Sequence, residues 1–384
     1  MLLKIIKREL RRLTSRKIYI FMMLIVPLGF TFFFLNLMNE GLPLRIPVGM
    51  VDLDHTSLSR KVGRALNASE LIDLSSSPEN FHQAMQQVKS GEIYGFFLIP
   101  NDFQQKAIGG GTPTLSFYSN MTIFVPGSLS FKGFKTIAVT TSGGIVKTTL
   151  VGMGLGEETA GSLIQPVVIN SHPLNNPWLN YSFYLSQSFI PCLLALIVLL
   201  ITVFSICEEK KRGTSVEWLA MAKGNMAVAL AGKLLPQTVI FTIVGVTMQA
   251  IMFGFLHFPL NCHPLHMILA VLLLVMASQA FATFITEMLP NLRMAMSIVS
   301  LVGILCFSIA GFSFPVDKMY GGVAIFSYIL PIRYYFLIYI DQALNGIPLY
   351  YSRFYYIALL VFLFLPLLGL RRLAKQLAHP VYVE

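Results

Sequence analysis

The sequence predicts an α-helical polytopic membrane protein with six transmembrane helices and an α/β extracytoplasmic domain inserted between spans one and two. Three observations carry that expectation. Hydrophobic residues fill 55% of the 384 positions and charged residues only 12%, at a mean hydropathy of +0.68. About a quarter of residues are charged in an ordinary soluble chain. Second, six uncharged apolar runs are each close to the roughly 20 residues needed to cross a hydrocarbon layer about 30 Å thick. Third, the long interval between the first two runs alternates strand-like and helix-like patterns, as a folded domain does.

The apolar runs fall at about 18–38, 184–206, 234–256, 265–286, 294–314 and 354–370, and none contains Asp, Glu, Lys or Arg. Intramembrane ionisable residues are the usual mark of a proton relay or ion path, so their absence argues against one. The formal charge of +10 is distributed in three clusters. Lys4, Lys7, Arg8, Arg11, Arg12, Arg16 and Lys17 precede the first run; Lys210, Lys211, Arg212 and Lys223 lie between the second and third; Arg371, Arg372 and Lys375 follow the last. The positive-inside rule puts all three in the cytoplasm together with both termini, and leaves no nucleic-acid footprint. Cys192, Cys207, Cys262 and Cys306 lie in or beside the spans, so the interval 39–183 must fold without disulfides.

Residues 1–17 place Leu2, Ile6, Leu10 and Leu13 at helical spacing among basic residues, the pattern of an interfacial amphipathic helix or of a basic topogenic tail. The first run lacks a small-x-small cleavage pattern after Met38 and reads as an uncleaved span. In the interval 39–183, strands are expected at Ile46–Leu53, Tyr94–Ile99 and Leu115–Ser119. A helix capped by Ser57 carries Leu58, Val62 and Leu66 on one face; a second starts at Ser77-Pro78-Glu79 and stops near Gly91; Asn101 or Asp102 opens a third. Gly109-Gly110-Gly111 is a loop, and residues 122–160 are ambiguous, with a long helix broken near Gly143-Gly144 as one solution. Residues 315–353, punctuated by Pro315, Pro331 and Pro348, suit a re-entrant or interfacial pair of helices, because irregular backbone at membrane depth needs cover from protein or a cavity.

Catalytic chemistry is not visible. Asp52 and Asp54 are a strand-end pair with a turn role, without the Gly and terminal Glu of a calcium loop. The seven histidines are scattered, and His263 with His266 fits a water-facing loop better than a metal site. Gly143-Gly144-Ile145-Val146-Lys147-Thr148 lacks the spacing of a phosphate loop, so any ATP that drives this chain is bound by another.

One charged stretch, Glu208 to Leu219, interrupts the apolar bundle at its cytoplasmic side. Gly213 permits a sharp turn and Thr214 can cap the short helix after it. Glu217 and the charges before it would face a cytosolic partner, while Trp218 and Leu219 anchor the helix to the membrane or to neighbouring spans.

Several segments carry a family resemblance. They are Pro47-Val48-Gly49-Met50-Val51-Asp52-Leu53-Asp54 with Ser57, Gly95-Phe96-Phe97-Leu98-Ile99-Pro100 with Phe103, and Leu174-Asn175-Asn176-Pro177 with Phe189-Ile190-Pro191. Gly311-Phe312-Ser313-Phe314-Pro315 with Met319, Leu330-Pro331 and Tyr334 is another, and Glu209, Gly213-Thr214 and Glu217 with Leu219 the most specific. Together they resemble the permease subunit of type-2 ATP-binding-cassette exporters with a large outer domain between the first two spans. Ser215-Val216 adds one residue between Thr214 and Glu217, and Lys223-Gly224 stands where a Pro is common.

The resemblance implies an ATPase-coupling helix at 208–226 involving Glu208, Glu209, Gly213, Thr214, Glu217, Trp218 and Leu219, and an outer re-entrant gate with Pro315, Pro331, Arg333 and Tyr334. Arg333 would contact an acidic headgroup or, as the simpler reading, serve as an interfacial anchor or form a local ion pair. It also implies a homodimer or a heterodimer with a related permease, a cytoplasmic ATP-binding-cassette ATPase carrying ATP and Mg, contact with membrane lipids and with a periplasmic adaptor, and residence in the bacterial cytoplasmic (inner) membrane. No cofactor, metal or catalytic residue is expected on this chain, and 371–384 would be a cytoplasmic tail. The rival reading is a membrane-anchored scaffold or receptor that uses its outer domain to bind a partner; it has no need for Glu217 or the Gly213-Thr214 turn.

Overall fold

The computed structural model describes residues 1–109, 111–165, 174–176, 180–289 and 291–379. Gly110, Pro177, His172 and the last five residues of the tail lie outside them. The chain divides into two units, Met1–Gly41 with Pro173–Glu384, and Leu42–His172.

The first unit is helical. It begins with α1 (Leu2–Ser15), an amphipathic helix that buries Ile5, Glu9, Arg12 and Leu13, and with α2 (Lys17–Leu37).

The second unit is built on a four-stranded sheet of β1 (Ile46–Asp52), β2 (Ile72–Ser76), β3 (Gly95–Ile99) and β4 (Ser116–Ser119), in the order β2-β1-β3-β4. β2, β1 and β3 are parallel and β4 is antiparallel to β3. Successive strand side chains point to opposite faces, so Phe97 joins Val48, Val62, Leu66 and Ile72 on one side while Phe96 joins Val51, Ala84 and Ile93 on the other. At Gly95 an added Cβ would lie 2.5 Å from the Tyr118 carbonyl, so only glycine lets β4 pair there.

The helices of this unit are α3 (Ser57–Asn67), α4 (Phe81–Ser90), α5 (Phe103–Ile108), α6 (Phe124–Gly152) and α7 (Glu157–Ile164). Their starts correct the sequence reading. Thr56, not Ser57, caps α3, with reciprocal bonds to Ser59, and Asn80 caps α4, three residues beyond Ser77. α6 runs unbroken through Gly143 and Gly144. β2 was not expected at all; it is a short edge strand with only its first residue fully buried.

Asp52 and Asp54 organise the turn after β1. Asp52 accepts the N–H groups of Asp54 and His55 and the Ser59 hydroxyl. Asp54 accepts the first two N–H groups of α5, from Phe103 at 2.9 Å and Gln104 at 3.1 Å. Desolvation pushes the Asp54 carboxyl up, but the Thr56 hydroxyl and those backbone donors outweigh it and hold the group below the ordinary carboxylate value.

Back in the first unit come α8 (Tyr181–Lys211), α9 (Ser215–Met221), α10 (Met226–Phe255), α11 (Pro264–Met288) and α12 (Leu292–Ile309). They are followed by α13 (Gly321–Tyr328), α14 (Pro331–Leu344), α15 (Leu349–Leu368) and α16 (Leu370–Ala378). Six of the described helices, α2, α8, α10, α11, α12 and α15, are long and apolar enough to cross a membrane. α13 and α14 meet at a bend of 81° across Ile329 and Leu330. Three wider π turns, at Phe21–Ile25, Ala250–Phe255 and Tyr339–Leu344, interrupt these helices, as such turns often do near functional sites. The helices also reach further than the uncharged runs: α8 takes in Glu208 and Glu209, α10 takes in Lys233, and α11 takes in Glu287. These charges lie just outside the uncharged runs 184–206, 234–256 and 265–286 but inside the helices.

Candidate functional site

The stretch that interrupts the bundle is shaped first by its backbone. α8 ends where Gly213 turns left-handed at φ 69°, with nothing close enough to object to a side chain, so the need for glycine here is conformational. α9 then runs along the base of the bundle. Its inner face is fixed: Trp218 is fully buried and donates its indole N–H to the Ala229 carbonyl at 3.3 Å, and Ser215 donates to the Leu377 carbonyl at 2.9 Å. Leu219 packs against the same cluster, made by Ile5 of α1, Ile206, Met226 and Leu230 of α8 and α10, and Leu373 and Leu377 of α16. Its outer face presents Val216, Glu217 and Ala220 to solvent.

Directly behind α9 lies a buried ionic cluster. Glu209, fully buried, accepts from Arg8 at 2.9 and 3.0 Å, from Arg12, from Lys233 at 2.8 Å and from the Thr214 hydroxyl. Glu208 accepts from Arg12 at 2.6 Å, Tyr19 at 3.0 Å and Arg212 at 2.8 Å, and pairs with Arg16. Lys233 also holds Glu9 at 2.9 Å, Gln237 donates to the other Glu9 oxygen at 3.1 Å, and the Lys233 ammonium lies 4.9 Å over the Trp218 ring. Among the described residues Arg8, Arg12, Arg16, Arg212 and Lys233 thus pair with three carboxylates, Glu9, Glu208 and Glu209.

The electrostatics follow from that arrangement. The hydrogen bonds to Glu209 hold the Arg8 guanidinium above its ordinary value against desolvation. Burial pulls Arg12 down, but the charge of Glu209 and its bonds outweigh it and the net direction is up. A buried pair is worth little in net stability compared with apolar packing, yet removing one member strands a charge at a cost of roughly 3–5 kcal/mol. The cluster therefore fixes α1, the end of α8 and the start of α10 as one body. Gly232 lets the helices close: a Cβ there would lie 2.8 Å from Ile5.

These positions revise the sequence expectations. Glu208 and Glu209 do not face outward with Glu217; they are 4% and 0% exposed, Glu208 held by Arg12, Arg16 and Arg212 and Glu209 by Arg8, Arg12 and Lys233. Thr214 stands immediately before α9, at the capping position, but its hydroxyl serves Glu209 rather than capping the helix. Gly213 makes the turn, Trp218 and Leu219 pack inward, and Glu217 is exposed. Glu9 and Lys233 were missed, and each had a signal: the sole acid among the basic residues of 1–17, and the sole charge in 226–256.

At the bend between α13 and α14, Pro331 occupies the first turn of α14. Arg333 donates to the Ser327 hydroxyl at 3.3 Å and stacks 4.6 Å over the Tyr328 ring, and the Tyr334 hydroxyl donates to the Tyr328 carbonyl at 2.9 Å. Two adjacent residues of α14 therefore clamp the last residue of α13. Among the described residues Arg333 makes this stacking contact and the Ser327 bond, and no ion pair. Val316, the residue after Pro315, and Arg333 both close on Gly311, where an added Cβ would lie 2.7 and 2.8 Å from them.

Six membrane-length helices among the described residues, with an amphipathic helix locked to a short exposed one, define a multi-pass membrane protein. Residues 17–370 match the family model described as ABC-2 family transporter protein, and the chain belongs to that family. Membership makes it the membrane component of a transport system rather than an enzyme. No curated protein matches the chain.

Proposed function

We propose that this chain is the permease subunit of an ATP-binding-cassette exporter, which lines the substrate path and takes its force from a separate ATPase subunit carrying ATP and Mg. What supports the reading is the two-sided character of α9: Trp218 and Ser215 tie it to α10 and α16, while Val216, Glu217 and Ala220 stay open. Such a helix moves with the bundle and offers a small face to a cytoplasmic partner. Glu208 and Glu209 then act behind it, carrying displacement into α1 and α10, and do not touch the ATPase. Rigid-body rocking of two such bundles would open the path.

In this reading α1, α9 and α16 are cytoplasmic, the Leu42–His172 unit is the extracytoplasmic α/β domain, and the membrane is the bacterial inner membrane. A second permease, identical or related, completes the path; the outer domain shields the exit or meets a periplasmic adaptor. Pro315, Pro331, Arg333 and Tyr334 form an outer gate. The test is Glu217→Arg in the complex with its ATPase: insertion and bundle packing persist while stimulation of ATP hydrolysis by the permease falls. Unchanged stimulation would sink the assignment.

A further inference from the structure

The wall between α10, α11 and α15 holds a groove of about 500 Å³. Ala231, Leu234, Leu235 and Val239 of α10, Met276 and Ala280 of α11, and Leu363 with Pro366 of α15 line it, and all are apolar. Two polar residues join them. Thr238 is half-buried, and Gln279 is only 3% exposed. The Thr238 hydroxyl lies 2.7 Å from the Gln279 side-chain oxygen and 3.0 Å from the Leu234 carbonyl. The Gln279 amide nitrogen has no partner among the described residues.

The imbalance does not depend on how the amide is oriented. The Thr238 hydroxyl carries a single hydrogen, so it satisfies either the Gln279 carboxamide or the Leu234 carbonyl. If it serves Gln279, the amide N–H is left over; if it serves Leu234, the reversed amide can donate to Thr238 and its oxygen is left over. Either way one polar atom of Gln279 stays unpaired beside an apolar groove at the depth of the spans, where water is scarce and such atoms are costly. A hydroxyl, which both donates and accepts, completes either arrangement.

We propose that this groove is an intramembrane binding site for an apolar molecule bearing one hydroxyl group, entering from the bilayer, with Gln279 as the residue that recognises the hydroxyl. Ala231 and Ala280 keep the space open, and the aliphatic walls hold the carbon skeleton. The site rests on the membrane-spanning character of α10, α11 and α15 and stands whether or not the coupling assignment for Glu217 does.

The test uses the full-length chain in phosphatidylcholine nanodiscs with a diazirine-bearing hexadecanol as photoprobe, and peptide mapping of the adducts. Labelling is expected within 231–239 and 276–280, with 1-hexadecanol competing about tenfold better than hexadecane, the preference one net hydrogen bond provides. Gln279→Leu should erase that preference while leaving labelling, and Ala280→Phe should fill the groove and remove labelling. Equal competition by alcohol and alkane on the unaltered chain overturns the proposal and leaves ordinary lipid contact. So does absence of labelling in the groove, which would mean a second copy of the chain covers it.

Discussion

The Lys233 ammonium reaches the Glu209 carboxylate at 2.8 Å with neither side chain exposed to solvent. These residues lie on two helices flanking α9, and Lys233 extends the contact to Glu9 of α1. The short exposed helix and the amphipathic N-terminal helix are therefore joined through charge, in addition to the apolar cluster around Trp218. Several consequences can be measured.

Lys233→Met should be strongly destabilising. Among the described residues Glu9 loses its only cation within ion-pair distance, while Glu209 keeps Arg8 and Arg12. The expected loss is about 3–5 kcal/mol. Thermal unfolding in detergent reads it. Adding Glu9→Leu should restore part of the loss, because the stranded charge goes too; no recovery would mean that the two residues do not act as a pair.

Two glycines should fail for different reasons. Gly213→Ala meets no neighbour and suffers only left-handed backbone strain, about 1–2 kcal/mol. Gly232→Ala instead drives a methyl into Ile5 and should cost about 1–3 kcal/mol while loosening α1. Limited proteolysis separates them: early cleavage near the N-terminus is expected for Gly232→Ala alone.

Asp54 gives a pH signature in the Leu42–His172 unit. Its folded value is depressed, so its contribution is complete above the ordinary value of 3.8 and is lost as pH falls below that through the lower folded value. Amide exchange at Phe103 and Gln104, measured from pH 5 down to about 2 with correction for intrinsic rates, should rise over that window. In Asp54→Asn the rise should vanish; an unchanged profile would show that another group controls the turn.

Much of this architecture was legible from sequence because a hydrocarbon layer imposes a local demand. About 20 uncharged apolar residues must be contiguous, and the six runs satisfy that by composition alone. Local rules also located the Gly213 turn and the Gly91 stop. They failed by a few residues at Ser57 and Ser77, where Thr56 and Asn80 offered equally good caps and only tertiary placement chose between them. β2 escaped because Ile72-Asp73-Leu74-Ser75-Ser76 is short and its outer positions are polar, as an edge strand should be. The ionic cluster was illegible for a different reason: Arg8 and Glu209 are 201 positions apart, and Lys233 and Glu9 224. No periodicity reports such a pairing, and the same arginines read simply as topogenic charge.

The central claim is that the outer face of α9 meets an ATPase, and photo-crosslinking from that face tests it most directly. With p-benzoylphenylalanine at position 217 of the full-length chain in native membranes, irradiation should give an adduct with an ATP-binding-cassette ATPase. The same group at Leu301, an exposed apolar position on α12, should give none. Absence of the adduct at 217, or equal yield from both positions, would contradict the account.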